Sequence, residues 1–260
     1  MTAPAPLRLD VRPDGVRVLT LDRPPVNALG RELVDGIATA VAQLDEDSTA
    51  RCLVVLSAGK HFCGGADLKE RQGMSLDEVR AFVPRLSATL TALAKLPFPT
   101  IAAVRGAAMG GGCELALACD LRILSDDATI GLRETALAIL PGAGGTQRLP
   151  RLIGPARAKR WIFTAAVHSA AVALADGVAD RVVAGQALDG EALRWAEAIA
   201  SNGPVAVRLA KRAVDAGGDL SMADALRFEW ECYAGTLGTY DREEGLRAFA
   251  EKRKPNFEGR

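Results

Sequence analysis

One uninterrupted apolar run, Cys52 to Leu56, and two further short strand signals, Thr100 to Val104 and Leu121 to Leu124, set the strongest limit on how this chain can fold. Each has strand length, and the run from Cys52 to Leu56 does not alternate with polar residues, as in a sheet covered on both faces. Helices separate them. Leu33, Ile37, Ala40, Val41 and Leu44 recur at helical spacing over residues 30–45, and Leu76, Val79, Phe82, Val83, Leu86, Leu90 and Leu93 share a face over 75–95. A further helix is expected over about 112–119. Ahead of these, Leu7, Leu9 and Val11 alternate with polar residues, Pro13-Asp14-Gly15 turns the chain, and residues 16–21 return as the second strand of a hairpin. Strand and helix in alternation argue an α/β fold with mainly parallel pairing and short crossovers.

From about residue 144 the pattern becomes helical, over 144–153, 155–164, 169–176, 188–201, 204–216, 221–235 and 241–251, with a short strand at 179–183. The last four helices read as an appendage. They hold Trp195, Phe228, Trp230, Tyr233 and Phe249, which suits either packing among themselves, the default, or a subunit interface. No repeat of fixed period is visible in the letters.

Composition narrows the chemistry. Lys plus Arg and Asp plus Glu both number 32, so the net charge is zero and the electrostatic footprint of a nucleic-acid binder is missing. No run of eighteen apolar residues exists, so no membrane span is expected. The short start, Met1 to Pro6, leads directly into a strand and does not read as a signal or transit peptide, so the expected location is cytoplasmic. Five cysteines without a C-x-x-C pair fit reduced, buried thiols. Cys63 and Cys113 lie beside glycines, but only His61 and His168 are available to activate a thiol, and no G-x-S-x-G elbow is present. Two histidines exclude a three-histidine metal site, and no metal is expected. Carboxylates are left as the acid–base groups.

Two of them lie in residues 106–146. Glu114 follows Gly110-Gly111-Gly112 in the first turn of its helix, among Met109, Cys113, Leu115, Ala116 and Leu117. It is either a glutamate favoured by the helix dipole or a partly desolvated acid with a raised pKa. Glu134 is either a surface partner of Arg133 or a second acid, in a segment closed by Pro141-Gly142-Ala143-Gly144-Gly145. An earlier glycine loop, Gly64-Gly65-Ala66-Asp67, also follows a strand. Two such loops can bring two backbone N–H groups to one point as an oxyanion hole, or they can be unrelated turns. Neither a dinucleotide fingerprint nor a Walker motif is present. Asp120 reads as a backbone-binding residue. Lys252-Arg253-Lys254 reads as a solvated basic patch or, more sharply, a phosphate-binding one.

The segments Asp22-Arg23-Pro24-Pro25-Val26-Asn27-Ala28-Leu29, Phe62 to Lys69, Ile101 to Gly106, Gly110 to Ala116, Leu140 to Arg151, Asp241 to Gly245 and Phe249 to Pro255 together resemble the crotonase, or enoyl-CoA hydratase/isomerase, superfamily over nearly the whole chain. The resemblance implies an α/β, crotonase-like spiral of β-β-α units with a C-terminal helical trimerisation region. Residues 1–200 would form the core with the active site, and 201–260 the helical region that makes trimers or dimers of trimers and completes the CoA pocket. It implies an acyl-CoA thioester substrate, with coenzyme A part of that substrate rather than a separate cofactor, and a place in fatty-acid β-oxidation.

Carried over by position, the backbone N–H groups of Ala66 and Gly111 make the oxyanion hole, Glu114 and Glu134 are the acid–base pair, and Gly142 helps hold the water. Val26, Asp67, Leu68, Lys69 and, from a neighbouring subunit, Tyr233 and Lys252 would surround the CoA moiety. The implied reaction adds water across the 2,3 double bond of a 2-enoyl-CoA to give a 3-hydroxyacyl-CoA. Glu114 would serve the water and Glu134 the Cα proton, a division the sequence alone leaves open. Having both acids favours hydration over Δ3,Δ2-enoyl-CoA isomerisation. Residues 131–142 and Glu231-Cys232-Tyr233-Ala234 are similar to the methylglutaconyl-CoA hydratase branch, which includes an RNA-binding member; zero net charge opposes that third reading. Arg105 and Ala107-Ala108-Met109 depart from the residues frequent in hydratases and bear on acyl length.

Overall fold

A computed structural model describes residues 5–260, so residues 1–4 of the expected untargeted N-terminus lie outside the described residues. The apolar runs form the centre of a sheet ordered β1-β2-β3-β4-β6-β9, built from β1 (Leu7–Val11), β2 (Val16–Leu21), β3 (Cys52–Ser57), β4 (Thr100–Val104), β6 (Leu121–Ser125) and β9 (Arg181–Val183). Only the β1–β2 hairpin is antiparallel; every other pair runs parallel.

Both faces are covered, as continuous apolar strands require. Leu53, Val55, Ala102, Val104 and Leu124 point into a large core with α1 (Arg31–Asp45), α3 (Leu76–Ala94) and α4 (Gly111–Leu117). The alternate residues Cys52, Val54, Ile101, Ala103 and Ile123 point the other way, onto Leu188, Ala192, Ala196 and Ala200 of α8 (Leu188–Ala200). This corrects the four-helix appendage, since α8 is a cover for the sheet. Its alanine stripe lets it lie close to the strands.

A second, three-stranded sheet escaped the sequence reading: β5 (Ala107–Met109), β7 (Thr129–Gly131) and β8 (His168–Ser169). These strands are two or three residues long, too short for a periodic signal. They reveal a repeat of topology that the letters hide. β4 passes to β5 and α4; β6 passes to β7, a 3-10 helix at Glu134–Leu137 and α5 (Gly145–Ile153). In each unit the first strand joins the large sheet and the second the small one. The chain from β3 imitates this, because Cys63 bridges in parallel to Ala108 before α2 (Leu68–Gln72) begins.

Next come α6 (Pro155–Thr164) and α7 (Ala170–Asp176), and after α8 the helices α9 (Pro204–Gly217), α10 (Met222–Ala234) and α11 (Tyr240–Ala250). Polar ties hold this last trio to the rest. Arg208 donates to the carbonyls of Ser48 and Ala50 at 2.9 Å, and Lys211 pairs with Asp120. Asp120 also accepts from the Thr100 N–H at 2.8 Å, the backbone role expected of it. Arg253 of the basic patch is committed to Glu244 at 2.6 Å, whereas Lys252 is exposed. The aromatics do not pack among themselves as a set: Trp195 leans on the α8 face of the sheet, but Trp230 and Phe249 are 61% and 86% exposed. No helix among the described residues is long and apolar enough to cross a membrane.

The seam between the first two units is set by Gly112, where an added Cβ would stand 2.1 Å from the Cys63 carbonyl oxygen. Gly112→Ala is therefore expected to cost about 1–3 kcal/mol, read as a lowered urea midpoint. Gly59→Ala, with no heavy atom within 4 Å of the new Cβ, should leave the midpoint nearly unchanged.

Candidate active site

Backbone close approach builds one half of the site. Asn27, at φ 51, donates through Nδ2 to the carbonyls of His61 and Phe62 at 3.0 and 3.1 Å. It thereby locks the first loop onto the segment leading to Ala66. Cys63 N–H donates to Ala107 O, Met109 N–H donates to Cys63 O, both at 3.0 Å, and Leu29 N–H donates to Gly65 O at 2.7 Å. Gly65, at φ 89, permits the contact: a Cβ there would lie 2.5 Å from Met109 O and 3.4 Å from the Gly111 nitrogen. A Cβ on Gly111 would in turn lie 3.9 Å from the Ala66 nitrogen. The two amides expected to form the oxyanion hole are neighbours, and neither donates to an acceptor among the described residues.

The acids form the other half. Glu114 is 2% exposed, and its Oε1 accepts from the N–H groups of Ala143 and Gly145 at 2.8 Å each. Burial pushes its pKa up, while those two amides and the nearby Arg148 cation act the other way. Arg148 also donates to the Ala143 carbonyl at 2.9 Å, fixing the loop that holds Glu114. Glu134 opens its 3-10 helix beside Gly110, where a Cβ would come within 3.0 Å of its Oε1. Its Oε2 is buried with no hydrogen-bond partner. Burial, reinforced by the charge on Glu114, raises its pKa to about 7. The surface pair with Arg133 does not form among the described residues.

Ala143, Gly145 and Arg148 were not singled out as site residues in the sequence. The glycine-rich closure marked their loop, but which amides face Glu114 depends on how the chain turns at Gly144, φ 108. Gly142 lies in the same loop, its N–H unspent among the described residues. The two cysteines beside glycines are poorly set as nucleophiles: both are free and buried, and burial raises Cys63 to about 12 and Cys113 well above its usual range.

The expected CoA contacts divide. Val26 sits against the oxyanion loop, accepting from Gly64 N–H at 2.7 Å. Asp67 caps α2 and pairs with Arg23 at 2.8 Å, so its carboxylate is already engaged. Leu68 and Lys69 are exposed beside it. Tyr233 and Lys252 lie in the C-terminal helical region, with Tyr233 lining an apolar cleft of about 720 Å³ between α9, α10 and α11.

A family model described as "Enoyl-CoA hydratase/isomerase" matches residues 12–260. The chain is 48% identical over 252 residues to enoyl-CoA hydratase domain-containing protein 2, mitochondrial, of Mus musculus, spanning 95% of this chain and 85% of that one. It is 45% identical over 251 residues to the mitochondrial methylglutaconyl-CoA hydratase of Homo sapiens, at 94% and 74% coverage. A crystal structure of an enoyl-CoA hydratase from Bacillus anthracis superposes with a TM-score of 0.96 at 44% identity, covering 98% of this chain and all of that one.

The carboxyl of Glu134 titrates near 7 when folded, against an ordinary value of 4.5. Its contribution to stability is therefore fully present below about 4.5 and lost as pH rises through about 7. Glu134→Gln escapes that loss. The variant should gain roughly 1–2 kcal/mol on the parent between pH 5 and pH 8, after discounting for solvent contact. Thermal unfolding at both pH values checks this, and a pH-independent difference would contradict a buried ionisation.

Proposed function

The chain belongs to the enoyl-CoA hydratase/isomerase family, and from that premise we propose that it hydrates a 2-enoyl-CoA to a 3-hydroxyacyl-CoA. The observation that carries this reading is the pairing of a buried and a half-buried glutamate, of unlike setting, with two unspent amides. Water attacks Cβ of the conjugated thioester, and the electron pair of the double bond moves onto the thioester oxygen. The Ala66 and Gly111 N–H groups would receive that charge, and removing one such donor typically costs about 3–4 kcal/mol.

The two settings support a division of labour. Glu114 accepts two N–H groups on Oε1, which favours its ionised form and suits the group that takes the proton from water. Glu134 has no such donors on Oε2 and holds its proton up to about pH 7, which suits delivery to Cα. The proton lost from water ends on Glu114 and the one gained by Cα leaves Glu134, so exchange within the coupled pair restores the starting state. Val26, Leu68 and Lys69 are our candidates for CoA contacts.

We further propose that copies of the chain associate through exposed apolar residues of α10 and α11, among them Met222, Trp230, Leu246 and Phe249, which would bring Tyr233 and Lys252 to a neighbour's CoA. A methylglutaconyl thioester is a second substrate reading, supported by the 45% identity to hydratases of that name.

Glu114→Gln or Glu134→Gln should lower kcat on crotonyl-CoA by about 10²–10⁴-fold. Either variant working at full rate would overturn the assignment. In the parent, kcat/KM should fall above about pH 7 as Glu134 loses its proton. Product analysis with 2-enoyl and 3-enoyl thioesters separates hydration from isomerisation, and the 3-methylglutaconyl thioester tests the second reading. Phe249→Asp should shift the sedimentation coefficient towards that of a monomer; an unchanged value would remove this face from the assembly.

A further inference from the structure

A depression of about 710 Å³, whose lining includes neither Glu114 nor Glu134, lies along the carboxyl ends of β3, β4, β6 and β9. Those four strands are consecutive neighbours and parallel, so their ends open onto one crevice, the place where open parallel sheets hold ligands. The rim is braced rather than loose. Gly106, at φ 55, lets the loop after β3 approach so closely that a Cβ there would stand 2.1 Å from the Lys60 carbonyl oxygen. Thr129 N–H donates to the Gly106 carbonyl at 2.7 Å.

The lining is rich in donors. Lys60 is exposed at the rim. His61 Nδ1 accepts from Ala107 N–H at 3.1 Å, which places the proton of the neutral ring on Nε2. Arg105 pairs through Nη2 with Asp189, while its Nε is buried without a partner. Ser125 is 0% exposed and lines the depression, and its Oγ is likewise unpartnered. Buried donors of this kind are normally satisfied. Asp127 is the one carboxylate in the lining.

We propose that this depression is a second ligand site, for a compact oxyanion of the phosphate class, held by Lys60, His61, Arg105 and Ser125. The donors come from three separate segments, the loops after β3 and β4 and the last residue of β6, a three-dimensional set that suits a tetrahedral oxyanion better than a planar carboxylate. Asp127 opposes the anion and limits its charge. None of these residues belongs to the proposed acid–base or oxyanion machinery, so the inference stands apart from the hydratase reading.

Calorimetric titration with inorganic phosphate, with coenzyme A saturating so that its own phosphate contacts are filled, tests the site. Saturable binding is expected, weakened at least tenfold by Lys60→Ala and by Ser125→Ala and tightened by Asp127→Asn. Crotonyl-CoA hydration should be unchanged in all three. A small alkyl phosphate in a parallel titration separates a free ion from the phosphoryl end of a larger ligand: both bind in the second case, inorganic phosphate alone in the first. Lys60 is exposed, so its variant reports even where Ser125→Ala fails to fold. No saturable binding, or binding indifferent to Lys60 and Asp127, overturns the proposal.

Discussion

Burying a carboxylate is costly unless donors meet it, and the Glu114 side chain is met twice on one oxygen. Those two hydrogen bonds do more than compensate the charge. They join α4, which leaves the small sheet, to the loop that starts α5, which belongs to the next turn of the spiral. Arg148 closes the arrangement by holding the Ala143 carbonyl, so the amide on the same residue is aimed at Glu114. The other acid depends on this. Glu134 stands near enough for the Glu114 charge to add to burial in raising its pKa, and its Oε2 has no hydrogen-bond partner. One satisfied and one unsatisfied carboxylate make an asymmetric pair, which is what separate proton acceptor and donor roles need.

The amide pair rests on a different constraint, the closeness with which two backbones can pass. Gly65 and Gly112 lie where a side chain would strike carbonyls of the neighbouring unit. Without a Cβ at these points, the Cys63–Ala108 bridge can form and the Ala66 and Gly111 nitrogens come together. Glycine therefore acts through packing at this seam as well as through torsional freedom.

Much of the fold was legible because its signals are local. The continuous run in β3 announced a sheet covered twice, and the alternation of side chains from β3 and β4 between two cores bears that out. Helix positions followed from apolar spacing, as for residues 30–45 and 75–95. What stayed hidden was short or distant. The three strands of the small sheet are too brief to show a period, and the assignment of α8 to the sheet needs knowledge of which surface lies beneath its alanines. The exposed Trp230 and Phe249 show the same limit, since aromatic content does not say which way a helix turns.

By itself the sequence determined the chemical inventory: carboxylates as the available acid–base groups, two glycine loops after strands, thiols without an activating histidine, and motifs that resemble one superfamily. Tertiary structure alone decided which groups meet. Ala143 and Gly145 reach Glu114 across about thirty positions of chain, and Gly111 reaches Ala66 across more. Local propensity carries no information on such contacts, because it sums preferences over neighbouring residues. The pKa of Glu134 likewise arises from burial and from a charge on another helix. Both exist only once the units have stacked.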